Sequence, residues 1–579
     1  KIILINRQFL LAAEKAEALI GKYPNAFIVW NILGVTAYET GKNEDAIKFY
    51  KKAISINSNY AYAYNNLGLV LKNQGKHTEV IKLFKRAILI QPDFINAYNN
   101  LGAVLLEKGK INEAIEACEK AISLQPDYAE AYNNLSAALL EKGKINEAIE
   151  ACEKAISLQP DYAKAYNNLS AILLEKGKVN KAIEASKKAL SLQPDDAEVY
   201  FNLGAVLLEK GKVNEAIEAC NKALSLQPDY AEAYNKLGVM LTDLGKLEEA
   251  VEIYKKALLL KPDYPEAHYN LSLCYNLKGD LQKSFKLYEW RQRKKKPLTV
   301  APRDHLIWDG IEPISGKKVF VYEEQGLGDT IQFVRYLLLL KQKGAEVIFK
   351  VKPEMYTLLK TLDNDIIFVD RDPKNNGIDF ETPLMSLPYL FNTTLKSIPS
   401  MTSYLSADHN RIISWKKRLA KDSFKVGICW QGSKAKIDFG RSFQLNLFEG
   451  ISKLPSVELI SLHKGEGEKQ IEDINFDLTI LGDDFDNGED AFVDTAAVIA
   501  NCDLIITSDT AIAHLAGALG HPTWVLLKQI PDWRWMLGRK DSPWYPSMEL
   551  YRQTKRDNWE EVFKIIKKDL KSLIKLKEN

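Results

Sequence analysis

A polar turn late in the chain carries residues that suit a phosphate-bearing ligand. Ser508, Asp509 and Thr510 follow the apolar stretch LIIT and precede the small-residue stretch AIAHLAGALG. A helix that starts here offers free backbone amides and the positive end of its dipole, which attract a diphosphate. Thr510 adds a hydroxyl, and His514, one turn into the helix, can donate to phosphate from the same side. The alternative is that His514 is an ordinary core or surface histidine.

A second polar turn, EEQGLGDT (323–330), offers a carboxylate. Gly326 and Gly328 allow a close backbone approach, and Asp329 stands where a helix opens. A carboxylate at the floor of a cleft can take a proton from an acceptor hydroxyl. Asp329 is equally suited to capping the helix, because Asp is a favoured N-cap residue. The sequence leaves both roles open.

Three further features belong with these turns. Gln431 and Gly432 follow the stretch FKVGICW and are placed to line phosphates by backbone contact. Asp494 is a candidate nucleoside contact, although an ordinary helix N-terminus would look the same. The segment PDWRWMLGRKDSPWYPS (531–547) is rich in aromatic residues, which either form an acceptor platform or bury a domain junction.

These turns require a fold in which strands alternate with helices. KKVFVY, AEVIFKV and DIIFVD have the pattern of buried strands, with TIQFVRYLLLLKQKG as one helix, and a second series runs from FKVGICW to PTWVLL. The alternation predicts two Rossmann-like domains with parallel sheets, whose ligands bind outside the strand carboxyl ends. We expect these domains at 318–415 and 416–579, after a linker at 299–317.

The first half of the chain repeats every 34 residues. The pattern Trp-x-x-Leu-Gly stands at Trp30, Leu33 and Gly34, followed by Ala46 and Tyr50. The small residues of this register are Gly34, Gly68, Gly102, Ser136, Ser170, Gly204, Gly238 and Ser272. The pattern resembles the tetratricopeptide repeat, which implies an α-solenoid of helical hairpins over 1–298. The fold class expected is therefore α + α/β.

A row of asparagines recurs at one position in the first helix of the repeats. Side-chain amides can donate to and accept from a peptide backbone without reading its side chains. In this respect the array is similar to the repeats of O-linked N-acetylglucosamine transferases, which implies a groove for a protein or peptide acceptor. The alternative is that the amides bond to neighbouring repeats. The row consists of Asn66, Asn100, Asn134, Asn168, Asn202 and Asn270.

The second half resembles the bacterial heptosyltransferases of glycosyltransferase family 9 over about 318 to 555. The motifs that carry the resemblance are GLGD before a helix and, after a strand, Asp-Thr, three residues and HLAGALGHPT. The resemblance implies a GT-B fold of two Rossmann-like domains and an inverting reaction that needs no metal. It implies Asp329 as the catalytic base, and Asp509, Thr510 and His514 as contacts of the donor diphosphate.

Two departures from the family pattern affect the site. Ala511 stands where heptosyltransferases usually have Gly, so the closest backbone approach to the diphosphate differs there. The family segment Lys-x-Trp-Pro is replaced by DFGRSF (438–443). Arg441 in this segment is the candidate cationic clamp, because a guanidinium binds phosphate oxygens in a bidentate manner. A surface salt bridge is the alternative role of Arg441.

Composition excludes several classes of partner. The net charge of +2 gives no reason to expect nucleic acid or an anionic membrane. The six cysteines form no Cys-x-x-Cys motif, so we expect no structural zinc and a reducing, cytoplasmic location. No apolar run is long enough to span a bilayer. The chain begins in mid-helix without Met, and the sequence leaves open whether a signal or further repeats precede it.

The predicted function is a cofactor-free glycosyltransferase. It moves a sugar from a nucleoside diphosphate, with UDP favoured, to a protein or peptide hydroxyl recruited by the repeats. One alternative is a non-enzymatic scaffold with a degenerate nucleotide-sugar-binding domain. Another is a transferase that acts on glycan or lipid-linked acceptors, in which the repeats serve only assembly. Oligomers through the repeats are compatible with all three.

Overall fold

The computed structural model describes residues 2–294, 306–373, 377–432, 440–487 and 492–578. The chain divides into two compact units, Lys1–Lys236 and Leu237–Asn579. Among the described residues, no helix combines the length and the apolar character that a membrane crossing requires. The domain boundaries predicted at 298, 317 and 415 stay predictions.

The first unit is an array of antiparallel helices. Consecutive helices pack as hairpins, and each hairpin packs on the next, which confirms the α-solenoid. The helices are α1 (Ile2–Lys22), α2 (Phe27–Glu39), α3 (Asn43–Ile56), α4 (Ala61–Lys72), α5 (His77–Ile90), α6 (Ile95–Glu107), α7 (Ile111–Leu124), α8 (Ala129–Glu141), α9 (Ile145–Leu158), α10 (Ala163–Glu175), α11 (Val179–Leu192), α12 (Ala197–Glu209) and α13 (Val213–Leu226), with α14 (Ala231–Asp243) spanning the boundary between the units.

Small residues explain why the helices of a hairpin lie so close. A Cβ on Gly102 of α6 would lie 2.6 Å from the Sγ atom of Cys118 in α7, and one on Gly34 would lie 2.5 Å from the ring of Tyr50. Both distances are shorter than any normal contact, so a larger residue would push the helices apart. The Leu-Gly pair in the repeat pattern therefore reports direct packing between the two helices.

The second unit begins with the last repeat helices and continues as an α/β structure. Its helices are α15 (Leu247–Leu260), α16 (Pro265–Lys278), α17 (Leu281–Tyr288), α18 (Leu327–Phe333), α19 (Tyr336–Gln342), α20 (Tyr356–Leu359), α21 (Leu387–Leu390), α22 (His409–Arg418), α23 (Glu449–Ser452), α24 (Val493–Ile499), α25 (Ala511–Ala518) and α26 (Trp559–Glu578). Its strands are β1 (Leu306–Ile307), β2 (Lys318–Tyr322), β3 (Glu346–Lys350), β4 (Ile367–Val369), β5 (Phe380–Pro383), β6 (Phe424–Cys429), β7 (Val457–Ser461), β8 (Leu504–Ser508), β9 (Thr523–Leu527) and β10 (Met548–Arg552).

The strands form two five-stranded sheets, and every strand pair in them is parallel. The first sheet has the order β1-β5-β2-β3-β4 and the second β10-β9-β8-β6-β7. In the second sheet β8 and β9 are buried along their whole length, as expected for strands that are covered on both faces. The two predicted series of alternating strands and helices are thus confirmed.

One predicted helix is divided into two. The stretch TIQFVRYLLLLKQKG, predicted as a single helix, is helical as α18 and α19 with a break at Val334 and Arg335. The fully buried Arg335 guanidinium donates from Nε to the carbonyl of Gln332 at 2.7 Å and from Nη1 to the carbonyl of Trp544 at 2.6 Å. The side chain thereby takes a backbone carbonyl of α18 as its acceptor where the helix is interrupted.

Candidate functional site

The two polar turns of the second sheet follow strands at a point where the strand order reverses. β6 lies between β7 and β8, so the chain crosses from one side of β6 to the other. Gln431 and Gly432 follow β6, and Asp509 and Thr510 follow β8, at the same carboxyl edge. The Thr510 hydroxyl lies 3.9 Å from the Cys429 thiol and 3.2 Å from the Thr507 hydroxyl. A crevice at such a reversal is where parallel α/β sheets bind ligands.

Arg441 lies directly against the turn that follows β6. A Cβ on Gly432 would lie 2.5 Å from Nη2 of Arg441, so glycine is needed there for the guanidinium to pack on the backbone. The Gly432 amide donates to the Ser442 hydroxyl at 3.4 Å, and Gln431 Oε1 accepts from Gln470 at 3.1 Å. The positive charge of Arg441 also acts on the carboxyl of Asp509. Three of the predicted phosphate contacts therefore lie together, namely Gln431, Gly432 and Arg441.

The predicted helix after β8 begins at Ala511, with Thr510 as its N-cap residue in an extended conformation. Thr510 makes no side-chain capping bond, so its hydroxyl is not used to close the helix start. Burial raises the pKa of Asp509 to about 6, and the nearby carboxylate of Asp532 adds to this increase. Asp509 is therefore protonated in mildly acidic solution and mostly ionised above pH 7.

His514 is buried and oriented by aromatic neighbours. Its Nδ1 atom lies 2.9 Å from the Tyr545 hydroxyl, and its ring stacks on Trp535 with centroids 5.4 Å apart. Burial lowers the pKa of His514 well below its ordinary value, and the positive charges of Arg534 and Arg335 lower it further. The imidazole is neutral, and when the Tyr545 hydroxyl donates to Nδ1, the proton is on Nε2.

Asp329 follows Gly328, the residue of α18 that packs against this histidine. It is the third residue of α18, and its Oδ2 atom accepts a hydrogen bond from the amide of Gly326 at 2.9 Å. The N-cap residue is Gly326, so Asp329 supports the helix start from inside the first turn and does not occupy the N-cap position. A Cβ on Gly328 would lie 2.9 Å from Cδ2 of His514, because α18 packs on α25. The candidate base and the candidate diphosphate turn thus lie together, one from each sheet.

The sequence did not single out Arg534, which forms an ion pair with Oδ1 of Asp329. Its side chain is 9% exposed, and Nη1 contacts Asp532 at 2.7 Å. Burial raises the pKa of Asp329, whereas the charge of Arg534 lowers it and that of Asp532 raises it. The neighbouring rings of Trp533, Trp535, Trp544 and Tyr545 are buried, and the Trp533 ring packs against Phe285 of α17 and Phe333 of α18. The two roles expected for the aromatic segment, as an acceptor platform or at a domain junction, stay predictions.

The carboxylate of Asp494 is held by protein groups. It accepts from Nε1 of Trp415 at 2.7 Å and from Nη1 of Arg411 at 3.0 Å. These bonds connect α22 to α24 and satisfy the buried carboxylate with donors from the protein. A nucleoside contact for Asp494 stays a prediction.

The asparagine row forms hydrogen bonds from repeat to repeat. In each pair, the Nδ2 atom of a row member donates to the side-chain oxygen of an asparagine one repeat earlier, as the alternative interpretation expected. The pairs are Asn66 with Asn31 (3.3 Å), Asn100 with Asn65 (3.0 Å), and Asn134 with Asn99, Asn168 with Asn133 and Asn202 with Asn167 (2.8 Å each). The amides are half-buried. The peptide-binding role of this row, including Asn270, stays a prediction.

Among the described residues, no cluster of three or more His, Cys, Asp and Glu side chains is arranged to hold a metal ion. Independence from metal remains a prediction from the family resemblance. The charges that face the carboxylates of the site come instead from Arg441 and Arg534.

A tetratricopeptide repeat array joined to a glycosyltransferase-like α/β part is the class of protein that this fold and site define. The family model described as glycosyltransferase family 9 (heptosyltransferase) matches residues 488–537, which include the turn before α25 and Arg534. A model described as TPR repeat matches residues 34–75, and the C-terminal domain of cilia and flagella-associated protein 70 matches residues 59–270.

Known proteins resemble parts of the chain. Protein FlbA of Caulobacter vibrioides is 26% identical over 307 residues, which are 47% of this chain and 49% of FlbA, so the chain spans about half the length of this relative. Among solved structures, the APC/C hetero-tetramer Cut9-Hcn1 is 18% identical over 46% of this chain and 52% of that one, with a TM-score of 0.39. TTC0263, a thermophilic TPR protein of Thermus thermophilus, is 25% identical over 31% of this chain and 99% of its own, with a TM-score of 0.30.

Proposed function

We propose that the protein is a GT-B glycosyltransferase that moves a sugar from a nucleoside diphosphate, with UDP favoured, to a hydroxyl of a protein or peptide. The observation that carries this proposal is the strand-to-helix turn 508–514, which lies at the reversal of a parallel sheet and opens α25, the helix that packs on α18, where Asp329 lies. The match of the family 9 model to this turn supports it.

The diphosphate of the donor would lie at the start of α25. The first amides of the helix, from Ala511 onwards, and the Thr510 hydroxyl are its donors, and Nε2–H of the neutral His514 adds another. Arg441, which lies against the turn after β6, supplies positive charge. Negative charge grows on the diphosphate as its bond to the sugar breaks, and fixed donors at that position stabilise the transition state.

Asp329 would act as the base. The acceptor oxygen attacks the anomeric carbon, the bond from that carbon to the diphosphate oxygen breaks, and the hydroxyl proton moves to the Asp329 carboxylate. Attack opposite the leaving group inverts the configuration. Burial raises the pKa of Asp329, which brings its proton affinity closer to what a base needs at neutral pH.

The repeats would recruit the acceptor. The side-chain amides of Asn100, Asn134 and Asn202 each have a second N–H, because the bond to the preceding repeat uses only one. A peptide backbone laid along the row would accept from these groups. A peptide library pulled down by the full chain tests this role, and a transferase for glycan or lipid-linked acceptors would retain no peptide.

Turnover in matched variants tests the site. We expect Asp329→Asn and His514→Gln each to lower transfer from UDP-sugars by about 100-fold or more, the usual contribution of a positioned acid or base. The exposed residues Asp477 and His409 give the controls Asp477→Asn and His409→Gln, which should transfer at the wild-type rate. Unchanged transfer in both site variants would reject these residue roles.

One observation favours the scaffold alternative. The Asp329 carboxylate is engaged by both the Gly326 amide and Arg534, which opposes its use as a base. Calorimetric titration with UDP-, ADP- and GDP-sugars separates the two functions. A scaffold with a degenerate domain binds none of them, whereas the transferase binds one.

A further inference from the structure

We propose that Arg534 is a ligand-responsive residue of the donor site: it neutralises Asp329 before the donor binds and turns to the diphosphate once the donor is bound. This inference deepens the proposed function and rests on it. Arg534 would thereby couple donor binding to the release of the base for the acceptor.

The first observation is the incomplete bonding of a buried guanidinium. Arginine carries five N–H donors, and in Arg534 Nη2 is directed to Asp329 and Nη1 to Asp532. The buried Nε atom has no hydrogen-bond partner among the described residues. A buried donor left without an acceptor is costly, and an anionic oxygen entering the cleft would satisfy it.

The second observation is the position of Arg534 between the two parts of the site. It pairs with the candidate base on α18, and the next residue, Trp535, stacks on His514 of the diphosphate turn with ring centroids 5.4 Å apart. The charge of Arg534 also acts on Asp509 and His514. A guanidinium in this place reaches both the leaving group and the base. A diphosphate carries more charge than one carboxylate and accepts bidentate bonds, so it competes with Asp329 for the fork of N–H groups.

The backbone that carries Arg534 is fixed, so the side chain alone can exchange partners. The ring of Trp533 packs against Phe285 and Tyr288, with centroids 6.2 and 5.9 Å apart. The guanidinium lies 4.3 Å from the centroid of the Trp533 ring, a cationic contact that does not depend on Asp329. Once Arg534 has turned away, the buried carboxylate of Asp329 has lost the charge that lowered its pKa and is the stronger base.

The test is a thermodynamic cycle of UDP binding to the full chain, measured by calorimetry. Arg534→Gln should weaken UDP binding by about 10- to 100-fold, the usual cost of a lost bond to a charged group, and leave uridine binding unchanged. Asp329→Asn should instead strengthen UDP binding, because it removes the competitor for Arg534. The double variant combines Arg534→Gln with Asp329→Asn. It should bind UDP no more tightly than Arg534→Gln alone, since the gain from Asp329→Asn acts through Arg534.

Arg539 gives the matched control. It is a partly exposed arginine of the same segment that pairs with Asp541, and Arg539→Gln should bind UDP like the wild type. If Arg534→Gln fails to fold, the double variant and Arg534→Lys are compared instead. The double variant leaves no unpaired carboxylate at position 329, although Asp532 loses its arginine in both, and the Lys variant keeps the charge but loses the fork.

The possible outcomes separate the two proposals. Wild-type protein that binds none of UDP, ADP and GDP contradicts the proposed function itself. Wild-type binding of UDP with equal affinity in Arg534→Gln overturns only the role of Arg534. A gain from Asp329→Asn that persists in the Arg534→Gln background would mean simple charge repulsion, and it also overturns the proposal.

Discussion

At the residue scale, Asp509 links the chemistry of the site to protein stability. Its pKa is raised from 3.8 to about 6, first by burial and then by Asp532. Folding therefore favours the protonated form, and the corresponding stability is complete below pH 4 and lost as the pH rises through 6. We expect Asp509→Asn to remove this loss, so that above pH 7 the variant is more stable than the wild type by on the order of 2 kcal/mol.

Thermal melting of both proteins from pH 4 to pH 8 measures this effect. The difference in melting temperature, variant minus wild type, should grow between pH 4 and pH 7 and then level off. The exposed Asp477 provides the control Asp477→Asn, for which the difference should not change with pH. A flat difference for Asp509→Asn would show that Asp509 is ionised at no cost in the folded protein.

The same scale shows what sequence can reveal of a site. Thr510 and His514 were identifiable because a strand, a polar turn and a small-residue helix follow one another in the chain, and local order predicts such a turn. Arg534 was not, because its partner Asp329 is 205 residues away and its neighbours Trp533 and Trp535 draw attention to aromatic packing instead. The role of a charged residue such as Arg534 depends on long-range contacts, which sequence periodicity does not predict.

At the scale of elements, α25 packs closely against Tyr545 at Gly517. A Cβ on Gly517 would lie 2.4 Å from Cδ1 of the Tyr545 ring and 2.6 Å from Cε of Met548. We expect Gly517→Ala to destabilise the protein by about 1–3 kcal/mol through overpacking, and to lower UDP binding because the displaced Tyr545 no longer orients His514.

Gly450 in α23 is the matched control for this substitution. A Cβ there would lie no closer than 3.5 Å to its nearest neighbour, the Nζ atom of Lys567. Gly450→Ala should therefore be neutral or stabilise the helix by up to about 1 kcal/mol. Thermal melting and UDP titration of both variants are the measurements. Equal stability of the two variants would mean that the packing around Gly517 accommodates a methyl group despite these short distances.

Elements also differ in how well the sequence predicts them. The repeat helices follow from the sequence because, at a fixed period, glycine marks the turn within each hairpin and proline marks the turns between hairpins, with Ser58 in place of one proline. By contrast, β5 lies inside the first sheet but was not predicted, since it is only four residues long, ends at Pro383 and carries the buried Glu381. A strand that is buried by its neighbours rather than by its own apolar residues has no sequence pattern to find.

At the scale of the whole molecule, the last repeat helices are part of the compact unit that holds the site. Arg291, fully buried after α17, donates from Nη2 to Glu324 at 2.7 Å and from Nη1 to Glu289 at 2.7 Å. The side-chain amide of Gln325 donates to the Tyr288 hydroxyl at 2.7 Å, and the backbone amide of Leu537 donates to the backbone carbonyl of Leu277 at 2.9 Å. The repeats therefore support both the turn that holds Asp329 and the segment that holds Arg534.

Two fragments test this organisation. Residues 231–579 keep α14 to α17, and we expect them to fold and to bind UDP like the full chain. Residues 299–579 begin where the repeat pattern ends and lack Arg291. Glu324, whose side chain is 3% exposed, would lose its arginine, and breaking a buried pair in this way costs about 3–5 kcal/mol.

The substitution Glu324→Gln should change the melting temperatures of the two fragments in opposite directions. In the fragment 299–579 it removes a buried charge that has lost Arg291, so it should raise the melting temperature. In the fragment 231–579 it leaves Arg291 with one carboxylate fewer, so it should lower the melting temperature. Opposite signs in the two fragments would establish that the last hairpins belong to the same compact unit as the α/β part. A shift of the same sign in both, or equal melting temperatures of the unsubstituted fragments, would show that the α/β part is complete without them.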